Sequence, residues 1–170
     1  MTKPDSLLLH YDNGLRLLRW QWHGPIHAAE FQAAFYYLTE LSNKERVRRW
    51  LIDTTDMPVV GIDEQAWLSE TWLPLFAKLQ VTDIAIILPS SLHNQLVVET
   101  ILADGQRYDC GEIQFFSDVT SALDWLTNSS GRGPELELEW LQEHRAEIEK
   151  LNKPTPGRLP VPVSRFPDTF

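Results

Sequence analysis

The apolar positions of this chain fall into short continuous runs separated by longer amphipathic stretches. Short runs are typical of strands that are covered on both faces, whereas apolar residues that recur every three or four positions predict helices. The predicted strands cover residues 7–11, 15–22, 50–53, 84–88 and 112–116. The predicted helices cover residues 27–41, 64–79, 92–104 and 119–126.

Turn-forming, helix-capping and helix-breaking residues mark the ends of these elements. The Asp12-Asn13-Gly14 sequence predicts a hairpin turn between the first two strands, because Asn and Gly tolerate positive φ. Asp63 is predicted to cap the second helix, and Pro74 within that helix is predicted to bend it or divide it in two. The later helices have Ser90 or Ser91 and the Ser117-Asp118 pair as their predicted caps.

The order of the elements predicts the fold class and the domain organisation. Alternating strands and helices with apolar strands indicate an α/β protein with a mainly parallel sheet, an antiparallel N-terminal hairpin and about four packed helices. Residues 1–128 are predicted to form this domain. Residues 129–152 are predicted to be a linker and a charged helix, with Leu141, His144, Ile148 and Leu151 at heptad-like spacing. Residues 153–170 are rich in proline and should be extended or disordered, so everything after Asn128 is expected to be dispensable for folding.

The charge, the cysteine content and the length of the apolar runs limit the partners and locations that fit this chain. The chain has 15 Lys and Arg against 24 Asp and Glu, a formal net charge of −9, which disfavours nucleic acid and anionic lipid surfaces as partners. The single cysteine, Cys110, cannot form an internal disulfide and fits a cytoplasmic location. No apolar run approaches the length of a membrane span, so none is expected.

The clearest candidate for chemistry is the Asp53-Thr54-Thr55-Asp56 sequence, which follows a predicted strand. Open α/β sheets place their sites at such strand ends, and two carboxylates there could hold a hard cation or accept a phosphoryl group. The alternative is that Asp53 ties down the loop by accepting hydrogen bonds from nearby backbone N–H groups. His23 and His27 are four residues apart, but Gly24-Pro25 separates them. We therefore expect no catalytic residue, no metal and no cofactor.

Seven tryptophans are many for a chain of 170 residues. Six of them fall in predicted elements, which favours a tryptophan-rich core. The alternative is an apolar pocket beneath the bent second helix, lined by Trp67, Trp72 and Trp125.

Several of these segments together resemble the SpoIIAA-like branch of the STAS domains, over about residues 8–126. The resemblance rests on the order and spacing of five segments: Trp50-Leu51-Ile52-Asp53, Trp67-Leu68, Trp72-Leu73-Pro74, Ala85-Ile86-Ile87-Leu88-Pro89, and Phe115-Phe116-Ser117-Asp118 followed by Ala122-Leu123-Asp124-Trp125-Leu126. It implies a four- or five-stranded sheet covered by helices, no catalytic residues and a regulatory role through docking to other proteins.

The chain departs from this family at the regulatory phosphorylation motif. Regulatory members carry an Asp-Ser-Ser/Thr-Gly motif at the start of the second helix, and the matching place here is near Gly61-Ile62-Asp63, which has no hydroxyl. Thr54 and Thr55 are the substitutes that the sequence offers. The departure puts a phosphorylation switch in doubt and predicts constitutive partner binding.

The sequence thus predicts a non-enzymatic protein-interaction module. Its partner is an unidentified protein, and self-association into a homodimer is left open. The alternative is a carrier of an apolar small molecule or lipid, since such domains share features with Sec14-type folds. A cavity of roughly 300 Å³ would favour the carrier, and a flat exposed apolar patch beside the loop would favour docking. The candidate docking residues are Thr54, Thr55, Asp56, Met57, Pro58, Val59, Val60 and Asp63.

Overall fold

The computed structural model describes residues 2–152, with side chains described as far as Glu149. Five strands form one sheet in the order β1-β2-β3-β4-β5. The strands are β1 (Leu7–Asp12), β2 (Leu17–Trp22), β3 (Arg49–Asp53), β4 (Asp83–Ile87) and β5 (Glu112–Phe116). Strand β1 pairs antiparallel with β2, and every later neighbour is parallel. The predicted α/β class, with its mainly parallel sheet and antiparallel hairpin, is confirmed.

The hairpin turn is longer than predicted. Strand β2 begins at Leu17, so a four-residue turn replaces the tight turn that Asn13-Gly14 suggested. The Asp12 carboxylate accepts a hydrogen bond from the Leu15 N–H at 2.9 Å, and Arg16 has a φ of 50°. The aspartate side chain and the left-handed Arg16 therefore complete the reversal.

Because consecutive parallel strands are also neighbours in the sheet, right-handed crossovers put their connecting helices on one face, which we call the first face. These helices are α1 (Ala28–Lys44), α2 (Ile62–Trp67), a π-helical segment (Leu68–Trp72), α3 (Leu73–Phe76) and α4 (Leu92–Gly105). The first face is aromatic, and its packed rings include Trp20, Trp22, Phe31, Phe35, Trp50, Trp72 and Phe76. The predicted tryptophan-rich core is present here.

The predicted second helix is divided, as Pro74 indicated. A π-helical segment lies between α2 and α3 and ends at Trp72, two residues before the proline. Proline has no N–H to donate and its ring clashes with the carbonyl of residue 70, so the regular α-helical ladder cannot pass through it. The predicted capping role of Asp63 is wrong: the helix begins at Ile62, Gly61 is the N-cap, and Asp63 lies in the first turn. Its charge still favours the positive end of the helix dipole.

The opposite side of the sheet, the second face, is covered by α5 (Val119–Leu126) and α6 (Gly133–Asn152). Its core is mainly aliphatic and contains Leu17, Leu51, Ala85, Ile87, Ala122, Leu123, Leu126 and Leu136. Among the residues of α6 up to Glu149, the large buried side chains are Leu136, Trp140 and His144. Of the residues at heptad-like spacing, His144 is buried, Ile148 is half-buried and Leu141 is exposed. Residues 153–170 and the Leu151 side chain lie outside the described part.

Polar and charged side chains hold α6 over the hairpin. Arg132 Nη2 lies 2.9 Å from Asp12 Oδ1, and His10 Nε2 lies 3.3 Å from Glu139 Oε2. The ring of the buried His144 places its Nε2 3.0 Å from the Leu9 carbonyl oxygen. A carbonyl oxygen can only accept, so this nitrogen carries the proton. The helix that the sequence predicted as an appendage is thus packed and tied onto the sheet.

Candidate functional site

The loop between β3 and α2 starts at the carboxyl end of a central strand. The Asp53 Oδ1 atom accepts hydrogen bonds from the Thr55 N–H at 3.0 Å and from the Thr55 hydroxyl at 2.6 Å. Asp53 therefore organises the start of the loop, as the second reading of the sequence predicted. Thr54 is buried, and its hydroxyl donates to the Ile87 carbonyl at the end of β4.

Asn94, in the first turn of α4, fixes the middle of this loop. Its side-chain oxygen accepts from the Val60 N–H at 3.2 Å. Its side-chain nitrogen donates to the carbonyls of Met57 at 3.1 Å and Pro58 at 3.2 Å. Because Asn94 is only 2% exposed, these three bonds replace solvent for the loop backbone. The loop is therefore held in one conformation by the neighbouring helix.

Sequence reasoning missed Asn94, although the sequence carries a signal for it. Asn is unfavourable inside a helix because its side chain competes for nearby backbone groups. Asn94 follows the N-cap Ser91, whose hydroxyl accepts from the Asn94 N–H at 3.2 Å. An asparagine inside the first turn of a helix, beyond its N-cap, therefore indicates a partner elsewhere in the fold.

Four large apolar side chains are exposed on or near the loop that Asn94 holds in place. Their exposed fractions are 78% at Val59, 86% at Ile62, 70% at Leu92 and 55% at Leu96. The loop and the first turn of α4 are adjacent, because His93 Nε2 also lies 2.9 Å from the Val60 carbonyl oxygen. We call these four residues the docking surface.

The docking surface has an acidic rim. Asp56, Asp63 and Glu99 are exposed, and Glu64 is half-buried. The segments that form the surface and its rim, residues 54–77 and 83–106, contain no Lys or Arg. A ligand for this surface must therefore combine apolar contact with tolerance of, or attraction to, negative charge.

Not all of the predicted docking residues face solvent. Thr55, Asp56, Val59 and Asp63 are exposed, whereas Met57 and Pro58 are half-buried. Thr54 and Val60 are buried, so they support the loop and present almost no surface for contact with another molecule. The burial of Thr54 also removes it as an accessible phosphorylation site. Leu92 and Leu96 are additions from α4 that the local sequence of the loop did not suggest.

An apolar cavity of about 210 Å³ lies beneath α4, between that helix, the divided helix and the sheet. Representative lining residues are Ile52, Trp72, Leu73, Ile86, Val97 and Ile101. Of the three tryptophans predicted to frame a pocket, only Trp72 lines this cavity. Trp67 packs against Phe31, Phe35 and Tyr36, and Trp125 packs against Phe116 on the second face. The predicted grouping is wrong because α5 crosses to the other side of the sheet.

Cys110 also lines the cavity, half-buried. Burial raises the pKa of its thiol, and the nearby Asp109 charge raises it further. A thiol with a raised pKa is a poor nucleophile, because the thiolate is the reactive form. The cysteine is therefore part of an apolar wall.

The second face holds one unusual cation, Arg19 on β2. It is 8% exposed, and its guanidinium carbon lies 3.9 Å from the centroid of the Trp140 ring. Burial lowers the pKa of Arg19 to about 10, while the charges of Asp53 and Glu137 act in the opposite direction. Arg19 is therefore still charged at neutral pH, and the aromatic face stabilises a weakly hydrated cation.

Across residues 2–152, no three His, Cys, Asp or Glu side chains are placed so that they could hold one metal ion. His27 is exposed at the start of α1, and His23 is half-buried. None of the helices in this range is long and apolar enough to cross a membrane.

Comparison with known proteins gives no match. The sequence matches no family model, no curated protein and no solved structure. The resemblance to STAS domains therefore stays a prediction that rests on the motifs. The geometry of this chain must carry any functional argument.

Proposed function

We propose that this protein is a non-enzymatic interaction module of STAS-like type that binds a protein partner through the docking surface. The observation that carries the proposal is the exposure of Val59 on the loop, Ile62 at the start of α2, and Leu92 and Leu96 on α4, with the loop and α4 fixed to each other by Asn94. Contiguous exposed apolar groups are a feature of interaction sites. A preorganised loop also loses little conformational entropy on binding.

The acidic rim defines the chemistry of the partner. Asp56, Asp63, Glu64 and Glu99 would repel a second copy of the same surface, which disfavours a homodimer through this site. They would attract a partner whose apolar ridge is flanked by Lys or Arg. Association should accordingly be fast at low salt and slower as salt screens the rim.

Binding is proposed to be constitutive. A phosphate near the start of α2 would add negative charge to a region that already holds Asp53, Asp56, Asp63 and Glu64, and like charges repel. Thr55 is the remaining accessible hydroxyl of the predicted pair, and it donates to the Asp53 carboxylate. Stoichiometric phosphate on Thr55, with at least a tenfold change in affinity after phosphatase treatment, would overturn this part of the proposal.

The experiment is a comparative capture from the native host with three immobilised proteins. The first is the unaltered chain, and the second carries Ile62→Ser and Leu92→Ser. The third is a matched control with Leu138→Ser and Leu141→Ser, which alters two leucines of α6 that are 56% and 54% exposed. A partner that the unaltered chain and the control retain, and that the docking variant loses, supports the proposal. Equal retention by all three proteins would contradict it.

A second candidate function, binding of an apolar small molecule, is favoured by the cavity beneath α4. At about 210 Å³ it falls below the usual range of ligand sites, about 300–1,000 Å³, and so ranks second. Native mass spectrometry of protein purified from its host tests it. A bound apolar mass that Val97→Phe displaces would support the carrier, and an unmodified mass in both proteins would exclude retention of a tight ligand.

A further inference from the structure

The segment after α6 differs in charge from the rest of the chain. Residues 153–170 contain Lys153, Arg158 and Arg165 against one acid, Asp168, in a chain of 15 basic and 24 acidic residues. The same segment carries large apolar residues between its prolines, namely Leu159, Val161, Val163, Phe166 and Phe170. It has the apolar and basic character that the docking surface and its acidic rim require.

The direction of α6 brings this segment to the correct end of the sheet. Near its start, Arg132 contacts Asp12, which pairs with Leu17 at the beginning of β2. Further along, His144 contacts the carbonyl of Leu9, which pairs with Trp20. The helix therefore runs in the direction of β2. Its last residue lies about 12 Å beyond His144, at 1.5 Å per residue.

That end of the sheet is where the docking surface lies. The β3–α2 loop and the first turn of α4 both follow the carboxyl ends of parallel strands. Neighbouring strands are about 4.8 Å apart, so β4 is roughly 10 Å from β2 across the sheet. Residues 153–158, which precede the first apolar position of the segment at Leu159, span up to about 20 Å when extended. This connection exceeds the separation between β2 and β4 across the sheet.

We propose that residues 153–170 dock on the docking surface of their own chain and compete with the external partner. This inference rests on the proposed function, because it assigns a regulator to the same site. Apolar side chains between positions 159 and 166 would cover Val59, Ile62, Leu92 and Leu96, with Arg158 and Arg165 beside the acidic rim. Prolines at 160 and 162 reduce the conformational freedom that docking removes. Covalent connection raises the effective concentration to the millimolar range, so weak contacts suffice.

Photo-crosslinking in the full chain tests the contact directly. p-Benzoylphenylalanine is incorporated in place of Phe166, and in a control protein in place of Leu141 on α6. We expect a product of monomer mass in which position 166 is joined to residues 54–63 or 92–99, and no such product from position 141. The yield should fall at least fivefold when Asp56, Asp63 and Glu99 are changed to Asn, Asn and Gln. Crosslinks confined to dimers, or to elements away from the docking surface, would overturn the proposal.

Partner capture separates this inference from the proposed function. A full chain with Val161→Ser, Val163→Ser and Phe166→Ser should capture at least three times more partner, because its docking surface is no longer occupied. Unchanged capture by this variant, together with no crosslink to the docking surface from the protein labelled at position 166, contradicts the inference and leaves the docking function standing. A crosslink at the docking surface, with partner capture insensitive to Ile62→Ser and Leu92→Ser, supports the inference and contradicts the function.

Discussion

The two faces of the sheet are both buried, but they are built from different chemistry. The first face is packed with interlocking aromatic rings and carries the apolar cavity, and its helices are the local crossovers between parallel strands. The second face is aliphatic, is bordered by Arg132, His10 and their carboxylate partners, and encloses the charged Arg19. Part of its cover, α6, returns to the sheet only after a linker.

This difference assigns separate roles to the two faces. Helix α4 of the first face supports the β3–α2 loop through Asn94, so the docking surface is continuous with the aromatic core. The second face has its ions arranged between α6 and the hairpin, where they fix the position of one helix. Substitutions on the second face should therefore change stability with little effect on binding. Substitutions around the loop should change both stability and binding.

The largest expected effect comes from removing α6. A chain that ends at Asn128 loses Leu136 and Trp140, and uncovers leucines of the second face such as Leu17 and Leu51. Loss of one large buried side chain typically costs about 3–5 kcal/mol, so we expect loss of cooperative unfolding or aggregation. Thermal unfolding followed by circular dichroism measures this.

A chain that ends at Asn152 is the matched control for that truncation, and it should unfold cooperatively. A melting temperature of the 1–128 chain equal to that of the parent would show that the second face is stable without α6. It would support the domain boundary that the linker composition predicted.

That boundary shows what the sequence could and could not predict. The strands, the division of the helix at Pro74 and the caps Ser91 and Asp118 follow from local patterns, and the structure confirms them. The role of α6 does not follow, because its buried residues Leu136, Trp140 and His144 are spaced by four along a charged helix. The partners of Trp140 and His144, which are Arg19 on β2 and Leu9 on β1, are more than a hundred residues away in the sequence. Composition alone made this helix resemble a solvated appendage.

The next effect in size is expected from Asn94→Ala. The change removes three hydrogen bonds from the loop and leaves the Val60 N–H without its partner. An unsatisfied buried group costs about 1–3 kcal/mol. We expect a loss of that size in the free energy of unfolding, and faster hydrogen exchange at residues 57–60. Full stability with unchanged exchange would mean that the loop is held by other contacts.

For the site, sequence reasoning located the loop and missed what holds it. The strand-end position and the Asp53-Thr55 contact could be predicted because they are local. The contribution of α4 could not, since Leu92, Leu96 and Asn94 are more than 30 residues from Val59. Only the order of the strands brings their helix beside the loop.

A smaller change in the free energy of unfolding, in the stabilising direction, is expected from Gly105→Ala at the end of α4. A Cβ atom there would meet the Leu73 methyl groups at 3.6 and 3.7 Å, which is ordinary contact. The substitution lowers the entropy of the unfolded chain and adds apolar contact beside the cavity, which should stabilise the protein by about 0.5–1 kcal/mol. Urea unfolding measures this change. A net destabilisation would indicate that the cavity wall cannot accept a methyl group.

The second face should also be sensitive to pH through His144. Burial lowers the pKa of His144, with the Glu143 charge, the hydrogen bond to Leu9 and the Glu147 charge acting in the opposite direction, and His10 lowering it. A histidine whose folded pKa is depressed stabilises the fold above the unfolded value of about 6.5, and this stability is lost as the pH falls through the folded pKa.

Unfolding free energies measured between about pH 5 and 8 test this contribution. His144→Gln, which keeps a donor for the Leu9 carbonyl, should reduce the fall in stability at acid pH. The exposed His27→Gln is the control and should leave the slope unchanged. An equal dependence of unfolding free energy on pH in all three proteins would show that His144 does not contribute to it.

If the docking surface binds the partner, and apolar exposure in general does not, then only substitutions in the docking surface should lower the affinity. Titration calorimetry of a purified captured partner measures this affinity for the three proteins of the capture experiment. We expect Ile62→Ser with Leu92→Ser to weaken binding at least tenfold, or about 1.4 kcal/mol, and the Leu138→Ser, Leu141→Ser control to stay within twofold of the unaltered chain. Equal affinities for the unaltered chain and the docking variant, or an equal loss in the α6 control, would contradict the claim.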